Sequence, residues 1–127
     1  MAFGRQTNDT LVKPLGGAIV RRYTLGAATE AGEYVAMQSD GYVDPGAASG
    51  VVYPLGICLQ DGAAGDRVDV VVHGPCECLI DATVGGIIYA SDTAGEPSAT
   101  AGTKTSILGV AESATVLFVR PQIVSLS

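Results

Sequence analysis

From residue 18 onward the chain alternates short apolar runs with turn-forming clusters, and the runs have the length of strands. Ala18-Ile19-Val20-Arg21-Arg22-Tyr23-Thr24-Leu25 is rich in β-branched and aromatic residues and stops at Gly26. Glu33-Tyr34-Val35-Ala36-Met37 is closed by Ser39-Asp40-Gly41, where Asp-Gly favours a tight turn. Gly41-Tyr42-Val43 leads to a break at Pro45-Gly46. Val51-Val52-Tyr53 and Leu55-Gly56-Ile57-Cys58-Leu59 follow, with Pro54 interrupting them. In Arg67 to His73, Val68, Val70 and Val72 alternate with Asp69 and Val71, the two-residue period of a half-buried strand. Gly74-Pro75 reads as a turn ending that strand at His73. Cys76 to Ile80, Gly86 to Ala90, Ser106 to Ala111 and Thr115 to Arg120 complete the set, with Pro121 expected to end the last ladder.

Helix signals are poor. The one candidate, Thr24 to Ala31, is bounded by Gly26 and Gly32 and has room for a single turn at most. Residues 1–18 hold polar stretches, Gly4, Pro14 and Gly16-Gly17, and read as an extended arm. The expectation is one mainly β domain, a small barrel or sandwich over residues 19–127, preceded by that arm. A chain of 127 residues is long enough for one core.

An internal repeat emerges when the halves are laid together. Ser39-Asp40 recurs as Ser91-Asp92 and Pro45 as Pro97, while Leu55-Gly56-Ile57 recurs as Leu108-Gly109-Val110. The pattern suggests two related β units packed into one body.

Composition narrows the core. Apolar residues make up 47%, but Gly alone occurs 17 times, Trp is absent and Phe occurs twice. A body of Val, Ile, Ala and Gly suits a small β architecture better than a helical bundle.

The net charge of −6 is unevenly placed. Residues 1–22 carry Arg5, Lys13, Arg21 and Arg22 against Asp9, a net +3, and the remainder carries −9. An acidic body repels phosphate backbones and anionic lipid, so neither nucleic acid nor a membrane is an expected partner. The basic segment suits an acidic protein surface, including that of a neighbouring copy. Phe3, Arg5, Lys13, Leu15, Arg21 and Arg22 are the residues expected to make such a contact.

The candidate chemistry is thin. His73 is the single histidine, so any Ser-His or Cys-His catalysis would depend on it, and a strand-end histidine beside a turn reads as a surface residue. His73 with Cys58, Cys76 and Cys78 has the ligand count of a structural zinc site, but Cys-x-Cys is not the Cys-x2–4-Cys of a zinc knuckle. Cys58 sits in an apolar strand, where a free thiol behaves as a small hydrophobe. Asp61, Asp66 and Asp69 flank a Gly-Ala loop without the alternating ligands of a calcium loop, and read as a solvated turn. No Gly-x-Gly-x-x-Gly precedes a helix, and the five tyrosines do not interleave with Arg or Lys. Neither an enzyme, a cofactor nor a metal is expected. Three cysteines make no disulfide framework, and the first residues, with Asn8-Asp9-Thr10 a plain polar stretch, lack the layout of a signal peptide. Folding in a reducing cytoplasm is expected.

Several segments together resemble a known family. These are Ala31-Gly32-Glu33-Tyr34-Val35, Gly41-Tyr42-Val43, Leu55-Gly56-Ile57-Cys58, Ala63 to Val70, Val84-Gly85-Gly86-Ile87-Ile88-Tyr89-Ala90 and Ile107-Leu108-Gly109-Val110-Ala111. With the terminal Val116-Leu117-Phe118-Val119 they span roughly residues 31–120 and look like the capsid decoration, or cement, proteins of tailed bacteriophages. The resemblance implies a β-tulip-like body, synthesis in the host cytoplasm, and a place on the outer surface of the virion, while the helix-poor sequence favours a more regular barrel. It implies binding to the major capsid (coat) protein at subunit junctions, often as a homotrimer, and stabilisation of the head without catalysis. The alternatives are another virion part, such as a head-fibre base or tail-tube element, and a small ligand- or metal-binding β-barrel.

Overall fold

The computed structural model describes residues 3–6, 11–38, 40–45, 54–102 and 105–123. Its strands are β1 (Gly4–Arg5), β2 (Lys13–Pro14), β3 (Ile19–Thr24), β4 (Tyr34–Met37), β5 (Val43–Pro45), β6 (Pro54–Cys58), β7 (Arg67–Glu77), β8 (Leu79–Ile80), β9 (Ile87–Ala90), β10 (Pro97–Ser98), β11 (Ser106–Ala111) and β12 (Val116–Ile123). Among the described residues there is no helix, and Thr24 to Ala31 forms none. The expected strand at residues 51–53 lies outside the described residues, as do Ser39, Gly46 and Asn8-Asp9-Thr10. The body is a curled antiparallel sheet forming a half-barrel, with strand order β10-β9-β11-β12-β7-β6-β4-β5.

The long strand β7 organises everything. Its first part pairs with β3 and, through Val70 and Val71, with β6; its last part pairs with β2 and β12. Two partners at one residue must lie on opposite edges, so β7 belongs to two successive stretches of sheet. Between them the strand kinks. Ile19 pairs with His73 but Val20 with Val71, which leaves Val72 as the extra residue of a bulge. Val70 and Val71 point to opposite faces and are both fully buried, in separate clusters, and beyond the bulge the alternation is flipped, so that Cys76 joins Val71 in the main core.

Two sequence expectations about proline fail here. Gly74-Pro75 is no turn, because β7 runs straight through it. The Pro75 carbonyl accepts from the Leu15 N–H on the β2 edge. A residue's N–H and C=O point to one edge, so the donor that proline lacks faces the Gly16-Gly17 turn and the β12 ladder loses nothing. Pro121 likewise does not end the last ladder, since β12 continues to Ile123. Pro54, expected as an interruption, begins β6.

The same pairings occur twice. Tyr34↔Ile57, Val35↔Gly56 and Ala36↔Pro54 are repeated as Ile87↔Val110, Ile88↔Gly109 and Tyr89↔Ile107, each with one leucine (Leu55, Leu108) bulged out. Ile57↔Val71 and Cys58↔Val70 are repeated as Val110↔Phe118 and Ala111↔Leu117. The turn bonds match too: the Gly32 N–H reaches the Cys58 carbonyl at 2.8 Å and the Gly85 N–H reaches the Ala111 carbonyl at 2.8 Å. The end of β7, opposite β12, takes the place that β3 has opposite the start of β7. Two five-stranded units therefore overlap through β7. The proline pair is out of step: Met37 pairs with Val43 and Ala90 with Pro97, so Pro97 corresponds to Val43 rather than Pro45.

The units stack face to back. Tyr34, Ala36, Ile57 and Val71 of the first unit pack with Ile88, Ala90, Leu108, Ala111, Leu117 and Val119 of the second in the main core. Burial of each large apolar side chain there contributes about 1.5–3 kcal/mol. The first unit's other face, Val35, Cys58, Val68 and Val70, forms a second cluster under Leu25, Tyr23 and Leu55.

Candidate functional site

The N-terminal segment is fastened to the body. β1 pairs with β8, placing Arg5 opposite Leu79, and Val12 is buried in the main core. Arg5 turns inward, with only 7% of its side chain exposed. Its Nε donates to Glu96 Oε2 at 2.8 Å, Nη1 to the Ala31 carbonyl at 2.8 Å and Nη2 to Glu30 Oε1 at 2.9 Å. Glu30 precedes β4 and Glu96 precedes β10, so one guanidinium ties the two units together. Burial opposes the guanidinium's charge, but the bonds to Glu30 and Glu96 outweigh it and hold its pKa above the ordinary value.

Around Arg5 lies an open acidic cleft of about 800 Å³, lined by Thr29, Glu30, Glu33, Asp61 and Glu96. Each acid whose bonds are seen has local work: Glu33 Oε1 accepts the Glu30 N–H at 2.7 Å, and Asp61 Oδ1 accepts the Ala31 N–H at 2.8 Å. The two turns that frame the cleft need glycine. Gly32 has φ +91° and its missing Cβ would meet the Gln6 carbonyl, while Gly95 has φ +76° beside the Glu33 carboxylate.

The other basic residues lie apart from Arg5. Lys13 and Pro14 are exposed on β2, and Ile19, Val20, Arg21 and Arg22 are all exposed on β3. Arg22 Nε pairs with Asp69 at 3.2 Å on the neighbouring strand, and Arg21 lies 6.0 Å from the Tyr23 ring. β3 is bonded to β7 along one edge, and among the described residues no strand is bonded to the other. Phe3 is half-buried against the main core and lines a cleft with Ile87 and Tyr89. Leu15 is half-buried at the bend between β2 and β3. The six expected contact residues thus divide into an inward pair, Phe3 and Arg5, a half-buried Leu15, and an outward basic group, Lys13, Arg21 and Arg22.

The residues weighed for chemistry are dispersed. His73 sits inside β7, not at its end, and its ring meets Phe118 edge to face at 5.3 Å. All three thiols are free and fully buried. The Cys58 thiol donates to the Gln60 carbonyl at 3.0 Å, and burial pushes its pKa up. A hydrogen bond with Cys76, together with burial, pushes Cys78 up well above the ordinary thiol range. Among the described residues, no three His, Cys, Asp or Glu side chains are grouped to hold a metal ion. Asp66 caps its own loop through the Ala63 N–H, and Asp69 serves Arg22.

Sequence reasoning missed the cleft, because Glu30 and Glu96 are distant in the chain and carry no motif, and Asp61 reads there only as part of a solvated turn with Asp66 and Asp69. It also missed the exposed apolar face of the second unit, where Ile87 and Val110 stand 44% and 43% exposed. No protein-family model matches the chain, and no curated protein matches it in sequence.

Proposed function

We propose that the chain is a structural, non-enzymatic protein that binds the outer surface of a phage head at coat-subunit junctions and stabilises it. The capsid assignment rests on the resemblance of residues 31–120 to decoration proteins. The observation that carries the binding mode is the open edge of β3. Its four successive exposed residues, Ile19, Val20, Arg21 and Arg22, offer apolar contact, two cations and an edge that, among the described residues, is bonded to no other strand. An edge of that kind accepts a strand from a partner, and its charge selects an acidic one. The rest of the body is acidic and is repelled by the surface that attracts this edge. The absence of a role in turnover is supported by the burial of every thiol and the packing of His73 on Phe118.

The test is decoration of purified expanded heads that lack this protein. Arg21→Glu with Arg22→Glu lowers occupancy at fixed protein concentration by about tenfold or more, and added salt weakens the wild type in the same direction. Point variants are preferred to deleting residues 1–18, which would also remove the buried Val12 and Arg5. Unchanged occupancy of the double variant sinks the β3 edge as the contact. Failure of the wild type to bind expanded heads at all sinks the capsid reading.

A further inference from the structure

Among the described residues, the second unit leaves one sheet face uncovered. Ile87, Val110, Phe118 and Pro75 lie side by side in register across β9, β11, β12 and β7. Ile107, Arg120 and Gln122 join Ile87 and Val110 around a shallow groove of about 150 Å³ on the same face. In the first unit the corresponding residues are Tyr34 for Ile87, Ile57 for Val110 and Val71 for Phe118, and all three are fully buried. What buries them is the inner face of the second unit. The chain therefore carries one face of this design twice, covered in one unit and open in the other.

The geometry limits what can cover the open one. Continuing the stack head to tail would need the first unit's far face, Val35, Cys58 and Val70. That face is already sealed by Leu25 and Tyr23, beside a connection from Cys58 to Val70 six residues longer than its counterpart from Ala111 to Leu117. The chain thus has a capped end and an open end, and an open end with no complementary end elsewhere closes on its own twin. Charge favours the same partner. Register sets Glu77 between Val116 and the exposed Lys13 at one end of the stripe, and Arg120 lies at the other, roughly 13 Å along β12 at the usual rise per residue. A two-fold axis perpendicular to β12 brings Arg120 of each copy over Glu77 of the other, whereas an axis along the strand opposes like charges.

We propose that this face pairs two copies of the chain, sheet face against sheet face, about a two-fold axis perpendicular to β12. The pairing goes beyond the capsid reading, does not depend on it, and departs from the threefold association that the resemblance implies. It uses a different surface from the β3 edge.

Sedimentation equilibrium on the full chain without capsids tests it. The wild type gives the mass of a dimer at low salt. Val110→Glu weakens association by about tenfold or more, through two like charges buried face to face. Ile87→Lys, at the other exposed position, does the same, and thermal melts show which variants remain folded. Arg120→Glu alone weakens the dimer, and Arg120→Glu combined with Glu77→Arg restores it. A wild type that stays monomeric or forms trimers overturns the proposal. So does a dimer indifferent to both Val110→Glu and Ile87→Lys, or a folded double reversal that fails to restore pairing. None of these outcomes alters the decoration assay, so the two readings fail separately.

Discussion

Gly56 lies so close to the Val71 carbonyl oxygen that a methyl group at its Cα would collide with it, and Gly109 stands in the same relation to the Phe118 carbonyl. Val71 and Phe118 occupy equivalent places in the two units, so each unit contains one crossing where adjacent strands approach too closely for any side chain. The obstacle is backbone, which cannot swing away as a side-chain tip can. Gly56→Ala is expected to destabilise the fold by about 2–3 kcal/mol. Gly109→Ala costs at least as much, because Gly109 also has φ +156°, outside the ordinary range of an L-residue. Thermal denaturation should show a fall of roughly 10 °C for either variant. A shift within the error of the melt would mean that the close crossings do not exist.

Arg5 and its two acids allow a sharper test of what fastens the N-terminal segment. Glu30 is 66% exposed and Glu96 34%, so solvent screens the first pair much more than the second. Arg5→Lys keeps the charge but loses the planar fork that serves Glu96, Ala31 and Glu30 at once, and should cost about 1–2 kcal/mol. Double-mutant cycles in urea should give a coupling of about 0.5–1 kcal/mol for Arg5 with Glu96 and near zero for Arg5 with Glu30. The reverse ranking would show that exposure does not govern these contacts.

The three thiols should be silent in the folded protein. All are fully buried, and Cys58 and Cys78 have pKa values raised above the ordinary thiol range, so little of the reactive thiolate forms near neutral pH. A thiol reagent at pH 8 should label none of them quickly and all three after denaturation. Rapid labelling of even one in the native state contradicts the packing of both clusters.

The fold was legible where side chains repeat with period two, and less so where backbone geometry decides. Val68 to Val72 announces a strand by its two-residue period, and Ile87 to Ala90 by a short run of β-branched and aromatic residues after a turn. The extension of β7 through Gly74-Pro75 was hidden, because a proline is tolerated where its missing donor faces a turn, and no local pattern states which edge that is. Leu55-Gly56-Ile57 and Leu108-Gly109-Val110 marked equivalent places since a steric demand for glycine leaves a trace in sequence. The proline spacing misled because proline is common at strand ends for many reasons. Arg5 was hardest to read. A lone cation in a polar stretch looks like part of an extended arm that meets a partner, and only folding brings Glu30 and Glu96 around it.

Glu33 supplies a pH dependence whose sign can be worked out. Burial pushes its carboxyl above the ordinary value; the Glu30 N–H and Arg5 pull it back, and the neighbouring Glu96 and Glu30 push it up again. The net effect is a raised pKa, so the folded state favours the protonated form. That contribution is fully present below the unfolded value, near 4.5, and is lost as pH rises through the folded value. Above the folded value the side chain is ionised at a net cost to stability. Glu33→Gln cannot ionise but retains Oε1 to accept the Glu30 N–H. The variant should therefore melt higher than the wild type at pH 7, and the difference should shrink towards pH 4. A variant less stable than the wild type at pH 7, with the deficit vanishing in acid, would mean that the attraction of Arg5 outweighs burial at this carboxylate.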